Sequence, residues 1–151
     1  MANTQAMCTS FKAEILSGIH ALGTTVIRAG TGADTVKAAL YLASATVNAA
    51  TTAYSATDEV SGTGYSAGGV TATNATAPTS SGTTAYWTPS ASFTYTTVTL
   101  TTSFDCVLVY NSTQSNKAIS AHTFGAQTIT AGTFVLSMPT NDSTNALIRI
   151  A

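Results

Sequence analysis

The run Phe93-Thr-Tyr-Thr-Thr-Val-Thr-Leu100, with Cys106-Val-Leu-Val-Tyr110 and Lys117-Ala-Ile-Ser-Ala-His-Thr-Phe124 behind it, decides the fold class. In the first run Phe93, Tyr95 and Thr97 face one way and Thr96, Val98 and Leu100 the other, the period of two that belongs to a strand. All three runs are rich in β-branched and aromatic residues, which suit a pleated surface. Between the second and third lies Tyr110-Asn-Ser-Thr-Gln-Ser-Asn116, a composition that predicts a turn and makes the pair a hairpin. Outward from these, Thr35-Val-Lys-Ala-Ala-Leu-Tyr-Leu42 alternates in the same way. Thr133-Phe-Val-Leu-Ser-Met138 and Ala146-Leu-Ile-Arg-Ile150 add two more strands. Short strands with no helices between them predict a mainly β, single-domain β-sandwich or a small, jelly-roll-like barrel.

Near the start the period changes. Phe11, Ile15, Ile19 and Leu22 recur at three and four, which predicts one short N-terminal helix over 10–21. Ser10 is the expected N-cap, Gly23 the expected stop, and Gly18 a weak point inside. Residues 1–9 read as a polar arm and 10–151 as one β-rich domain. Residues 43–84, rich in Ala, Thr, Ser and Gly, read as long loops carrying one or two edge strands. No repeat of fixed period runs through them, which counts against a solenoid.

Charge is the unusual feature of the composition. Of 151 residues only 7% are charged, with Lys+Arg 5 and Asp+Glu 6, whereas Thr and Ser make up about a third of the chain. A net charge of −1 with five scattered basic residues leaves no footprint for nucleic acid, and no basic amphipathic stripe suits a membrane surface. A near-neutral Thr/Ser surface also lacks the mutual repulsion that keeps free proteins apart, which fits a packed array. The segment Met1–Cys8 lacks the charged and apolar regions of a signal peptide, so the protein is expected to stay in the cytoplasm or to leave by lysis.

Candidate chemistry is sparse. Gly62-Thr-Gly-Tyr-Ser-Ala-Gly-Gly69 has neither the lysine nor the following helix that a phosphate loop needs, and reads as glycine-permitted turns around an anchoring Tyr65. Asp58 and Glu59 are adjacent, so on a strand they diverge; a solvated or interface role is expected. Cys8 and Cys106 read as free thiols, Cys106 buried in a strand. His20 and His122 have no local metal spacing, and a triad of His122, Asp105 and some serine lacks a nucleophile elbow. Trp87 in Tyr86-Trp-Thr-Pro89 reads as a packing residue before a sugar platform. The sequons at Asn74, Asn111 and Asn141 are no more than such a composition produces by chance. No catalytic residue, cofactor or metal site is expected.

Four strings together, Lys37-Ala-Ala-Leu-Tyr41, Asp58-Glu-Val-Ser-Gly-Thr-Gly-Tyr-Ser-Ala-Gly-Gly69, Val109-Tyr-Asn-Ser-Thr113 and Ile148-Arg-Ile150, resemble a family of small β-rich structural proteins of tailed bacteriophages, from about residue 8 onward. The resemblance implies a virion component without catalytic residues, most simply a capsid decoration (cement) protein that bridges neighbouring capsid subunits. Its expected partners are the major capsid protein or other virion proteins and copies of itself. A tail- or neck-associated adaptor or fibre subunit, with a glycan-contacting surface, is the alternative. On this view Asn3, Thr4 and Gln5 of the arm, Phe11 of the helix, and Asp58, Glu59 and Tyr65 of the glycine-rich loop are the expected contact residues.

Overall fold

A computed structural model describes residues 3–16, 18–22, 33–73 and 76–151, the side chains of residues 12, 13 and 16 excepted. In chain order the elements are β1 (Ala6–Met7), α1 (Thr9–Leu16), β2 (Val36–Leu42), β3 (Val70–Thr71), β4 (Thr79–Ser81), β5 (Thr84–Trp87), β6 (Phe93–Asn111), β7 (Lys117–Leu136) and β8 (Ile148–Ile150). They form two antiparallel sheets, β1-β7-β6-β2-β3 and β4-β5-β8. The protein is mainly β with one short helix; the sheets do not close into a barrel, and the arrangement fits a sandwich.

The hairpin turn expected at 110–116 is present, with Ser115 and Asn116 at positive φ (53° and 58°). Its arms are far longer than expected. The separately predicted strands 93–100 and 106–110 are one strand, β6, and 117–124 and 133–138 merge into β7 as far as Leu136. Continuity does not mean straightness. From Leu100 to Phe104 β6 advances four residues while β7 moves only from Ile129 to Gln127. From Phe104 to Cys106 the imbalance reverses, as β7 moves from Gln127 to Thr123. Surplus residues on one strand of a pair bend it. The bend lets Phe104, fully buried, touch Phe124 at 6.0 Å and Phe134 at 5.1 Å between ring centroids. The hairpin therefore folds its far half back over its near half, and the aromatic layer between them is part of the core.

β2 is covered on both faces, so Ala38, Ala39, Leu40 and Tyr41 are all buried where alternation implied one polar face. Gly69 makes the close approach: its φ is +69°, and a Cβ there would overlap the carbonyl of Ala38. Tyr95 reaches over from β6 and donates to that same carbonyl at 2.8 Å.

Three expectations near the start need correction. Residues 3–9 are not a separate arm. The Asn3 side chain donates to Leu42 O (3.1 Å) and Asp105 Oδ1 (2.6 Å) and accepts from Val47 N (2.8 Å), while β1 pairs with β7 at Ser120 and Ala121. A polar composition concealed an Asn whose amide satisfies groups from three segments. The helix begins at Thr9 and ends at Leu16, not 21. Gly18, at φ 66°, is its terminator: Gly18 N bonds to Ile15 O and Ile19 N to Glu14 O, both at 3.0 Å, the double bond of a glycine-ended helix. Ser10 falls inside the first turn and its Oγ has no partner among the described residues, so it is not the cap. Gly23, the expected stop, lies outside the described residues.

Candidate functional site

The expected contact residues split into two groups. Thr4, Gln5 and Asp58 are exposed. Asn3 and Phe11 are buried inside the chain, Phe11 against the edge of the His20 ring at 4.7 Å, and are not available to a neighbour. Glu59 and Tyr65 hold the fold together. Glu59 accepts from Tyr54 Oη (2.6 Å), Tyr65 Oη (2.7 Å) and Gly68 N (2.7 Å), and Tyr65 Oη in turn accepts from Leu40 N (3.0 Å). Tyr110 stacks on Tyr54 at 4.7 Å and donates to Gly68 O, and Tyr65 stacks on Tyr95. Burial, then the hydrogen bond and charge of Glu59, push the Tyr54 and Tyr65 hydroxyls well above the ordinary tyrosine range. Tyr41 and Tyr110, raised first by burial and further by Glu59, reach about 12. The adjacent acids do diverge as expected, but Glu59 turns inward and anchors the glycine-rich ribbon.

The remaining carboxylates behave similarly. Glu14 meets Lys117 Nζ at 2.6 Å and His20 Nε2 at 2.7 Å. Burial opposes its ionisation, but the bonds and charges of Lys117 and His20 outweigh burial and hold its pKa below the usual value. Asp34 accepts from Ala21 N, Asn111 Nδ2 and Gln114 Nε2. Asn111, one of the sequons, is fully buried in that network. Asp142 closes its own turn, accepting from Thr144 N and Asn145 N. Five of the six carboxylates are thus engaged within the chain.

Two long stretches of the chain carry no charge at all. From Val60 to Phe104, and again from Ala118 to Asn141, there is no Lys, Arg, Asp or Glu. Those stretches include the whole far half of the hairpin, where Thr94, Thr96, Thr97, Thr128, Thr130 and Thr133 are exposed. Val135, 48% exposed, is one of two large apolar side chains left open to solvent among the described residues. β7 is also a sheet edge. Beyond Ala121 no strand pairs with its outer side among the described residues.

Beside that edge lies a cavity of about 550 Å³, where the hairpin ends approach β1 and β8. Phe93, Leu136 and Met138 supply apolar walls; Ser120, His122 and Arg149 supply polar ones. Ser120 Oγ and His122 Nε2 are 2.9 Å apart, because residues two apart on a strand share a face. Burial pulls His122 down to about 4, so it is neutral at pH 7. Asp105 bonds to Asn3, and no hydrogen bond joins it to His122 among the described residues. A serine and a base are therefore together without the third group that orients a catalytic imidazole. Sequence reasoning had His122 but could not choose its serine from sixteen; the i, i+2 spacing was the available signal.

Other candidates resolve more simply. Cys8 and Cys106 are free and buried, and burial raises them to about 11 and about 12, so neither is a ready nucleophile. Trp87 is 1% exposed and donates to Thr76 O, which makes it a packing residue. No three His, Cys, Asp or Glu side chains converge on a metal site among the described residues. No family model matches the chain, and neither curated proteins nor solved structures provide a match.

Proposed function

We propose that the chain is a non-catalytic structural component of a tailed-phage virion, most simply a capsid decoration protein that binds across neighbouring capsid subunits. The observation that carries this reading is the uncharged far half of the β6–β7 hairpin. It is Thr-covered, open along one edge and free of any group that would repel a neighbouring copy. A surface of this kind is a liability on an isolated protein and an advantage in a repeated shell, where many weak contacts add through avidity. The sequence resemblance points the same way. On this reading the protein is made in the host cytoplasm, released by lysis, and touches neither nucleic acid nor membrane. Thr4, Gln5 and Asp58 remain as exposed contact candidates, joined by the hairpin threonines.

Cryo-electron microscopy of purified particles tests this directly. Hundreds of copies over the shell are the expected result. A few copies at one vertex move the protein to the neck or tail, and absence from the particle overturns the reading.

A further inference from the structure

We propose that the cavity between the hairpin ends, β1 and β8 is a binding site for a small organic carboxylate with an apolar body. The inference goes beyond a structural role in a particle and stands or falls independently of it.

The bend of the hairpin makes the cavity. Phe93–Leu136 and Val107–His122 are cross-strand pairs from different halves of β6 and β7, and both line the same space. Gln5 with β1 closes one further side, and residues 145–149 close another. Walls drawn from so many segments suit a compact molecule better than an extended chain. At about 550 Å³ the space falls within the roughly 300–1,000 Å³ of small-molecule sites. Phe93, Leu136 and Met138 offer apolar contact to the body of such a ligand.

Charge selects the head group. Among the described residues Arg149 is the one charged side chain in the lining, and no Asp or Glu joins it. Nor does any carboxylate lie within ion-pair distance of Arg149 among the described residues. Asp142, the acid nearest to it in sequence, is held by Thr140, Thr144 and Asn145. Arg149 donates to Ser143 O at 3.2 Å, which leaves most of its five donors for a ligand. His122 is neutral at pH 7, so Arg149 alone sets the sign, and the sign favours an anion. A planar guanidinium fork matches a carboxylate, which can take two parallel N–H bonds from it. Arg149 is exposed, so the head group sits at the mouth and the apolar body inside.

Isothermal titration calorimetry of the full chain with octanoate is the test, with octan-1-ol as the uncharged analogue of the same length. Octanoate should bind saturably, and octan-1-ol at least about tenfold more weakly, the loss expected when a charged hydrogen bond goes unmade. Arg149→Gln should weaken octanoate by a similar factor, leave octan-1-ol unchanged and keep the wild-type circular dichroism. Lys37→Gln, which removes a cation outside the cavity lining, should bind octanoate like wild type. Octanoate should also shift the His122 ring resonances in heteronuclear NMR spectra, assigned with His122→Gln. Absence of saturable octanoate binding, equal affinity for the alcohol, unchanged binding by Arg149→Gln, an equal loss in Lys37→Gln, or shifts that spare His122 each overturns the proposal.

Discussion

Phe124 and Phe134 lie on one continuous strand, ten residues apart, yet their ring centroids are 5.3 Å from each other. A straight strand would separate them by roughly 33 Å. The difference measures how far β7 folds back, and Phe104 is the residue on which both rings close. The bend creates a core from a single hairpin. Beyond Ala121, where the pairing with β1 ends, no strand among the described residues pairs with the outer side of β7, and that side belongs to the surface proposed for assembly.

Removing that pivot should be costly. Phe104→Ala should destabilise the protein by about 3–5 kcal/mol in urea unfolding, because the site is fully enclosed and packed on both sides. Thr102→Ala, exposed beside it at the bend, should change stability by less than about 0.5 kcal/mol.

The adjacent acids should separate cleanly. Glu59→Gln replaces an acceptor of three hydrogen bonds with a group that accepts at only one end, and should cost about 1–3 kcal/mol. Asp58→Asn should be near neutral. Equal effects at the two positions would contradict the inward role of Glu59.

Two glycines test the ribbon in the same way. Both Gly69 and Gly82 have positive φ, but a Cβ at Gly69 overlaps the Ala38 carbonyl whereas nothing lies within 4 Å of one at Gly82. Gly82→Ala should cost about 1 kcal/mol. Gly69→Ala should cost well over about 2 kcal/mol or prevent folding, read from the thermal transition.

Stability should fall on both the acid and the alkaline side. His122 titrates near 4 in the folded chain and near its ordinary 6.5 when unfolded, so the unfolded state takes up the proton first. Its contribution is present above pH 6.5 and is lost as pH falls toward 4, a change of about 3 kcal/mol that His122→Gln should remove. Tyr41 and Tyr110 titrate near 12 when folded, against about 10 unfolded. Their contribution is complete below pH 10 and is lost as pH rises toward 12. Ionisation of these two tyrosines should therefore appear together with unfolding, not before it.

The Ser120–His122 pair should be inert. Turnover of a p-nitrophenyl ester should not exceed that of Ser120→Ala, His122→Ala or Asp105→Ala chains. Activity abolished by the first two substitutions would reopen a hydrolase reading, because nothing else in the cavity supplies a nucleophile and base together.

The strands were legible because alternation and β-branched composition are local properties, carried by runs such as Phe93–Leu100 and Lys117–Phe124. So was the turn at 110–116, and so was the scarcity of charge. The separation of β6 into two predicted strands failed at Thr101–Asp105, where exposed threonines read as a loop but are the outside of a bend. Gly18 read as a weakness in the helix because a glycine's cost inside a helix and its use at the end are indistinguishable until φ is known. Tyr65 read correctly as the anchor of the glycine-rich turns but also as a contact residue, and Asn3, Phe11 and Glu59 read as outward, because polarity and sequence position say nothing about which distant groups need a partner. Asp105, Val47 and Leu42 lie far from Asn3 along the chain, and Tyr54, Tyr65 and Gly68 converge on Glu59 through the tertiary fold. Periodicity determined that this protein is built from strands. Long-range packing alone decided where the hairpin folds back, which charges turn inward and which edge stays open.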